Sequence, residues 1–430
     1  MIERVIILNI YGWDIVLLNA IDKVNLELKE YVQQNELTFN YKDENTSATL
    51  TFDNWEVVPG GASKLLRMKT LVKEGKLTYM GKNVKLDGIC PLLEVQLSFV
   101  NSKQNPDIKQ LNFNFQVQGE YEGDQKNGAV TIINPDMNNI IQQGSISYQI
   151  LKIILPTMFI QNKVKISYLF ASLNTSSNIP WMQPEKFKYS YFSPTITNNK
   201  GFLVIFSVVT SREITELDEL IDGKALDNKN NEFMLISQSL FLENVIMPEL
   251  PGAFGNGATT NHFFFESTSH TSGKIKNSKD LKCDRVKSGL IWYYPKITSL
   301  NIKVESNRLL MNGNGKCPIE GIPGGYINFD FKVNNQFYYN QTNKSIEFIS
   351  NSSPKVTTKL DIPWWVWLNP IWGGIIHIIA SDIASSIAKY LKMRTNTFIG
   401  NLSSDLVNWG ENNNKEINDC ILDVILCIKK

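Results

Sequence analysis

Apolar residues in the stretch 13–33 recur at the spacing of an α-helix, and this pattern constrains the fold more than any other in the chain. Intervals of four, three, four and three residues separate Leu17, Ile21, Val24, Leu28 and Tyr31, which places them on one helical face. That face is widened by Leu18, Ala20, Leu26 and Val32. A helix that is apolar over so much of its circumference must be enclosed. We therefore predict a core helix over 13–33 around which the rest of the chain is built.

The residues at both ends of this stretch are typical of helix boundaries. Gly12 and Asp14 suit a helix start, because a carboxylate in the first turn meets unpaired amide donors and the positive end of the helix dipole. Asn35 follows the last periodic residue and is expected to adopt the left-handed conformation that ends the helix.

The sequence after this helix alternates between apolar and polar residues, which is typical of antiparallel strands with one wet face. The alternation is clear over 47–52, 111–118 and 187–191, whereas 201–209 is apolar on both faces and predicts a strand deep in a sheet. A phase break at 53–55 predicts a β-bulge. The segment 213–222 suggests a short acidic helix. We therefore expect one long helix and a run of strands in the first half.

The second half repeats this organisation after a polar stretch, 223–232, that has no periodicity and predicts a linker. Ser237 is expected to cap a helix over 238–247. The octet 327–334 matches 111–118 in residue type at nearly every position, and 337–339 and 346–348 flank a predicted hairpin. Tandem units over 1–222 and 233–430 follow from this pattern.

The segment 362–380 has no formal charge and contains four of the nine tryptophans. These tryptophans could lie at a membrane interface, with each ring buried and its N–H in contact with water. Alternatively, they could pack in the interior of the protein. We favour the interior, because two prolines and two glycines give the segment the shape of a loop that strands can cover. Two prolines and Asn369 argue against a spanning helix. A helical stripe follows at Ile376, Ile379, Ile383 and Ile387. The tryptophans are Trp364, Trp365, Trp367 and Trp372.

Charge and motif content exclude several classes of protein. The chain has 43 basic and 42 acidic residues, which gives no indication of nucleic-acid binding. Five cysteines without a C-x-x-C motif predict thiols and no metal site. His262 and His270 flank Glu266, but a structural or surface role is expected, and His377 is expected in the core. No catalytic motif is present, so we expect neither an enzyme nor a cofactor.

A run of basic residues lies between 274 and 287, offset by Asp280 and Asp284. Such a run is usually a solvated face of the protein. The alternative is a site for anionic lipid headgroups, since each Lys or Arg near a negative membrane surface contributes about 1 kcal/mol to the binding free energy. The run consists of Lys274, Lys276, Lys279, Lys282, Arg285 and Lys287.

Two stretches carry a family resemblance. The segment 11–16, YGWDIV, and the segment 52–57, FDNWEV, which continues through GGAS at 60–63 and LRMKT at 66–70, resemble the 47 kDa protein family encoded beside botulinum neurotoxins in orfX-type gene clusters. The resemblance implies an α+β fold of the tubular lipid-binding (TULIP) superfamily, in which long helices are wrapped by curved antiparallel sheets, often in tandem. It also implies a non-catalytic, toxin-associated role.

Three hypotheses follow for the function. The first is an accessory protein of a toxin assembly that holds lipid, such as a phosphoinositide, between helix and sheet. Its candidate lipid-binding walls are Leu17, Ile21, Val24 and Leu28 in one unit and Ile376, Ile379, Ile383 and Ile387 in the other. The second is an adaptor with a closed core that binds other toxin-cluster proteins. The third is a membrane-inserting protein that uses 362–380.

The apolar start of the chain is not expected to be a Sec signal, because Glu3 precedes the apolar run and no small-residue cleavage site follows. We expect an extracellular protein that belongs to a toxin complex, or one that stays in the cytoplasm until the cell lyses.

Overall fold

The computed structural model describes residues 8–193, 201–223, 226–350, 354–364, 366, 370–390, 396–399, 402, 406–410 and 416–430. The first thirteen strands and two helices are β1 (Ile15–Ala20), α1 (Ile21–Asn35), β2 (Thr38–Lys42), β3 (Thr46–Ala62), β4 (Leu65–Tyr79), β5 (Lys82–Lys85), β6 (Leu92–Asn101), β7 (Ile108–Asn114), β8 (Val117–Gln118), β9 (Ala129–Asn134), α2 (Ile146–Gln161), β10 (Leu169–Asn174), β11 (Lys186–Phe192), β12 (Phe202–Val208) and β13 (Glu232–Ile236).

The remaining elements follow in chain order. They are α3 (Gln238–Phe241), α4 (Leu250–Phe254), β14 (Phe263–Ser269), β15 (Ser272–Asn277), β16 (Leu281–Lys282), β17 (Val286–Ser288), β18 (Ile291–Tyr293), β19 (Lys296–Glu305), β20 (Arg308–Pro318), β21 (Tyr326–Asn340), β22 (Ser345–Ser350), β23 (Lys355–Asp361), α5 (Pro370–Tyr390), β24 (Asn396–Phe398), β25 (Val407–Trp409), β26 (Asp419–Asp423) and β27 (Ile425–Lys429).

The chain forms two compact units that do not coincide with its two halves. One, the α1 unit, comprises Ile15–Met234, Asn401–Lys415 and Lys430, and the other, the α5 unit, comprises Met1–Asp14, Leu235–Gly400 and Glu416–Lys429. The chain passes from the α1 unit to the α5 unit within β13, just after the predicted linker 223–232. Segments remote in sequence therefore complete each unit.

The α1 unit is built on an antiparallel sheet with the strand order β2-β3-β4-β6-β7-β10-β25. The predicted bulge is confirmed, because the register of β3 against β4 shifts on both sides of Phe52. A second set of strands, β11-β12-β1, contains β12, whose seven side chains are all buried as predicted. The predicted strand 111–118 is interrupted: β7 ends at Asn114, and β8 pairs in parallel with β9.

The predicted helix 13–33 is wrong in its first half. Residues Ile15–Ala20 form strand β1, with all six side chains buried, and pair with β12. Helix α1 begins only at Ile21, and Glu36, not Asn35, adopts the left-handed conformation that ends it. A short apolar run is compatible with a strand that is buried on both faces as well as with a helix. Here it forms a strand because the equally apolar β12 pairs with it in antiparallel orientation.

Helix assignments elsewhere in the first half were also incomplete. Helix α2 was not predicted, although Ser145 caps it by accepting a hydrogen bond from the Tyr148 N–H. Pro156 lies inside this helix, and its apolar residues are spread around the helix, so no single periodic stripe marks it. The acidic segment 213–222 contains no helix. Leu26, expected on the buried face of α1, is 60% exposed.

The α5 unit has an antiparallel sheet with the strand order β14-β15-β19-β20-β21-β22-β24, and β23 also pairs with β21. The octet 327–334 lies in β21, where Ile327, Phe329, Phe331 and Val333 are buried as predicted. The predicted hairpin that follows is confirmed by the pairing of Asn340 with Ser345. Ser237 caps α3 as predicted, after which the chain continues as a π-helical turn over Leu242–Ile246.

Candidate functional site

The lipid-binding wall predicted in the α1 unit is buried. Leu17 lies on β1, and Ile21, Val24 and Leu28 lie on α1, with at most 6% of any of these side chains exposed. Helix α1 packs on β3. The structure thus brings the four residues into the core of one unit, as the sequence predicted, but Leu17 comes from a strand and not from the helix.

Polar contacts hold α1 against neighbouring parts of the chain. The Asn25 side chain accepts a hydrogen bond from the Val57 N–H at 2.7 Å and donates one to the Val57 carbonyl at 2.9 Å. Near the end of the helix, the Tyr31 hydroxyl accepts from the Ser167 N–H at 2.7 Å. Lys23 forms an ion pair with Glu232 at 2.5 Å. The Asn25 contacts hold α1 directly against β3 at Val57.

An aromatic cluster fills the interior of the α1 unit. Phe159 on α2 lies at its centre, with ring centroids 5.2–5.8 Å from those of Phe39, Phe52, Trp55 and Phe115. Edge-to-face contacts dominate, as expected from the ring quadrupoles. These side chains pack closely between α2 and strands β2 and β3 in the interior of the unit.

Helix α5 carries the second predicted wall and is apolar on more than one side. Ile376, Ile379 and Ile383 are at most 4% exposed, whereas Ile375 and Ile378 are 42% and 62% exposed. The side chain of Ile387 lies outside the described residues. The helix packs on β23 and β17. His377 was expected in the core, and this is wrong, because its side chain is exposed.

The tryptophan segment precedes α5 and is described only in part. Trp364 is 74% exposed, so the interior interpretation is wrong for this residue. Trp365 and Trp367, and the side chain of Trp372, lie outside the described residues. Among the helices that the structure describes, none has the length and hydrophobicity needed to cross a bilayer.

The basic run 274–287 divides into two parts. On β15, Lys274 and Lys276 form ion pairs with Glu266 on β14, at 3.0 and 2.7 Å, and these lysines lower the pKa of the Glu266 carboxyl. Lys279 is exposed. Lys282 and Arg285 line a surface cleft of about 760 Å³, together with Asn256, Cys283, Asp284, Tyr294, Pro295 and Lys296.

The hairpin formed by β17 and β18 lies at this cleft and was missed by the sequence interpretation. Its residues Leu290 and Trp292 are 95% and 39% exposed. The signal in the sequence was Gly289, which shortly precedes the β-branched and aromatic residues Ile291, Trp292 and Tyr293.

The histidines and cysteines have structural surroundings. The His262 Nδ1 accepts a hydrogen bond from the Thr259 N–H at 3.1 Å and so caps a short 3₁₀ turn. All five cysteines are buried and none forms a disulfide. Burial raises the pKa of the Cys283 and Cys317 thiols to about 12. Within the described residues, no three His, Cys, Asp or Glu side chains converge as a metal site would require.

Comparison with known proteins gives matches over nearly the whole chain. A family model described as OrfX-like, Protein OrfX2/OrfX3/P47, matches residues 10–408. Protein P47 of Clostridium botulinum (strain Kyoto / Type A2) is 35% identical over 426 residues, which cover 98% of this chain and 99% of that protein.

Two solved structures have the same fold. The structure of P47 from Clostridium botulinum A2 superposes with a TM-score of 0.87 at 34% identity and covers 98% of both chains. The crystal structure of P47 of Clostridium botulinum E1 gives a TM-score of 0.84 at 32% identity, covering 98% of this chain and 99% of the other. The β-rich architecture described above is therefore shared with both.

Proposed function

Because the chain belongs to the OrfX-like family of OrfX2, OrfX3 and P47 proteins, we propose that it is a non-enzymatic accessory component of a clostridial toxin assembly. It acts by binding the other proteins encoded in the same gene cluster. The observation that carries this proposal is the match to Protein P47, at 35% identity over 98% of this chain and 99% of that protein.

The interior of the α1 unit supports a binding role at the surface. The predicted lipid wall is buried, the aromatic cluster around Phe159 is closely packed, and Asn25 holds α1 on β3. An adaptor needs a stable shell with a packed core, since a rigid surface loses little conformational entropy on binding. In this proposal the protein works outside its cell as part of the toxin complex.

Co-expression tests the adaptor role. The chain is expressed with the other proteins of its gene cluster, and the products are analysed by size-exclusion chromatography and native mass spectrometry. We expect a stoichiometric complex that survives dilution to the micromolar range. A chain that elutes alone in the presence of every cluster protein would overturn the proposal.

A second candidate function is lipid binding, and α5 is the observation that favours it. The apolar face of α5 extends beyond the side that is packed, because Ile376 and Ile379 are buried and the neighbouring Ile375 and Ile378 are exposed, which is typical of a helix in contact with further apolar material. Here we propose that the two units are TULIP-like modules whose helices are wrapped by curved sheets, and that a lipid or phosphoinositide lies along α5.

Native mass spectrometry of protein extracted under mild conditions distinguishes the two functions. A mass increment that matches a phospholipid, and that decreases in Ile378→Ser, supports the lipid carrier. Protein that carries no lipid but still forms the complex supports the adaptor. Ile153→Ser is a matched control, because Ile153 is 64% exposed on α2.

A further inference from the structure

The hairpin formed by β17 and β18 presents a single aliphatic side chain at its tip. The two strands pair through Val286 with Tyr293, Lys287 with Trp292, and Ser288 with Ile291. Gly289 has a φ of +61°, which only a residue without a Cβ adopts easily, and it allows the tight turn. Leu290 follows it and is 95% exposed, so the turn holds an apolar group out in solvent.

The two faces of the hairpin differ in burial. Val286 and Tyr293 are 3% and 2% exposed and fix the hairpin to its unit, where α5 packs on β17. Lys287 and Trp292 point to the opposite face. Next to them Ile291 and Tyr294 are 44% and 59% exposed. The hairpin is thus a rigidly held projection with an apolar tip and an aromatic flank.

Cations surround the aromatic flank. The Arg285 guanidinium lies 4.3 Å from the centre of the Trp292 ring, and the Lys287 Nζ lies 5.8 Å from it. Neither Arg285 nor Lys287 forms an ion pair with any residue that the structure describes. The nearest carboxylate in sequence, Asp284, accepts a hydrogen bond from the Asn256 side chain at 2.9 Å. Lys282 and Arg285 also line the cleft beside the hairpin.

We propose that this hairpin docks the protein on an anionic phospholipid bilayer. Leu290 enters the boundary of the acyl chains, Trp292 and Tyr294 lie at the headgroup level, and Arg285 and Lys287 meet lipid phosphates. Behind the apolar tip, the cations and the aromatic residues lie together, with Lys287 directly across from Trp292, and both kinds of residue suit the headgroup layer of an anionic membrane. The exposed apolar tip beside the positive charges of Arg285 and Lys287 is complementary to an anionic bilayer, which offers both an apolar layer and negative headgroups.

The contact is weak and reversible when it acts alone. One leucine and two interfacial rings bury less apolar surface than a single fatty acyl chain, which itself gives only marginal membrane binding. The charges therefore make a necessary contribution, so the interaction requires anionic lipid and weakens with salt. This inference does not depend on the role in a toxin complex, because the hairpin acts through its own residues.

Flotation of the full chain with vesicles tests the proposal. Vesicles of phosphatidylcholine with phosphatidylserine are expected to bind the protein, and vesicles of phosphatidylcholine alone are not. Leu290→Ser is expected to weaken binding about tenfold, given the transfer free energy of a leucine side chain. Arg285→Gln and Lys287→Gln are each expected to weaken it about fivefold.

Met80→Ser is the matched control. Met80 is 86% exposed at a positive-φ turn between β4 and β5, but it lacks the flanking exposed tryptophan. This variant should bind as the unchanged protein does. No binding of the unchanged protein to anionic vesicles, or equal losses in Leu290→Ser and Met80→Ser, would overturn the proposal. Retained binding to the cluster proteins in Leu290→Ser separates this test from that of the adaptor role.

Discussion

The side chain of Asn25 on α1 pairs with the main chain of Val57 on β3 through two hydrogen bonds, of 2.7 and 2.9 Å. A primary amide has the same arrangement of donor and acceptor as a peptide group, so Asn25 takes the place that a neighbouring strand would occupy at Val57. Asn25 is therefore one of the contacts that hold the helix on the sheet at this point.

We predict that Asn25→Ala destabilises the protein by about 2 kcal/mol, because two hydrogen bonds are lost and two main-chain groups of Val57 are left without this partner. Urea unfolding followed by circular dichroism measures the change. Asn35→Ala is the control, since its side chain bonds only to the Tyr31 carbonyl within the same helix and is exposed. An equal, small effect of both substitutions would contradict the role given to Asn25.

We predict that Phe159→Ala costs about 4 kcal/mol of unfolding free energy, because it leaves a cavity among four aromatic rings that other elements hold in place. Phe159→Leu should cost less, since it keeps most of the volume. The denaturant midpoint and the fluorescence of the neighbouring Trp55 provide the two measurements. If the two variants are equally stable, the cluster is not a close-packed core.

The free energy of unfolding should decrease in acid, and protonation of Asp124 should account for part of the decrease. This carboxylate accepts hydrogen bonds from the main-chain N–H groups of Lys126 and Glu120, at 2.9 and 3.0 Å, and these bonds lower its pKa. A lowered folded-state pKa means that the carboxylate stabilises the fold above its unfolded pKa of about 4 and that this contribution is lost as the pH falls through the folded value.

Asp124→Asn should therefore be less stable than the unchanged protein at neutral pH, and the two stabilities should converge as the pH falls below about 4. The urea midpoint measured between neutral and acidic pH tests this. Parallel curves for the two proteins throughout the range would show that Asp124 contributes nothing to the acid response.

The thiols should be inert in the folded protein. Burial raises the pKa of Cys283 and Cys317 to about 12, and the other three cysteines are also buried, so little thiolate is available at neutral pH. We expect a thiol reagent to label all five cysteines in denaturant and none quickly without it. Rapid labelling of a single cysteine in the native state, located by mass spectrometry, would indicate local opening at that residue.

Some elements could be read directly from residue patterns. The alternation over 327–334 identified β21, the two-sided apolar run 201–209 identified β12, and Ser237 was recognised as a cap. The helical stripe at Ile376, Ile379 and Ile383 lies on α5. Each of these patterns is long, or is joined to a distinctive terminal residue, so that local physical chemistry decides the outcome.

Other features depended on partners that are distant in sequence. Residues 15–18 satisfy helical spacing, yet they form a strand because β12, nearly two hundred residues later, offers a complementary edge. The exposure of Trp364 and His377, and the projection of Leu290, depend on which elements happen to cover them. Sequence periodicity describes only the segment that carries it.

The sequence by itself determined the family, the β-rich character and the apolar residues that fill the interior. The tertiary structure decided where β1 ends and α1 begins, that Asn25 bonds to the main chain of Val57, and that the turn at Gly289 leaves Leu290 exposed to solvent. The physical reason is that apolar side chains are buried, and many hydrogen bonds are made, between segments that are distant in sequence. The chain contains many apolar segments that could pair in more than one way, and only the packing of all of them together selects one pairing.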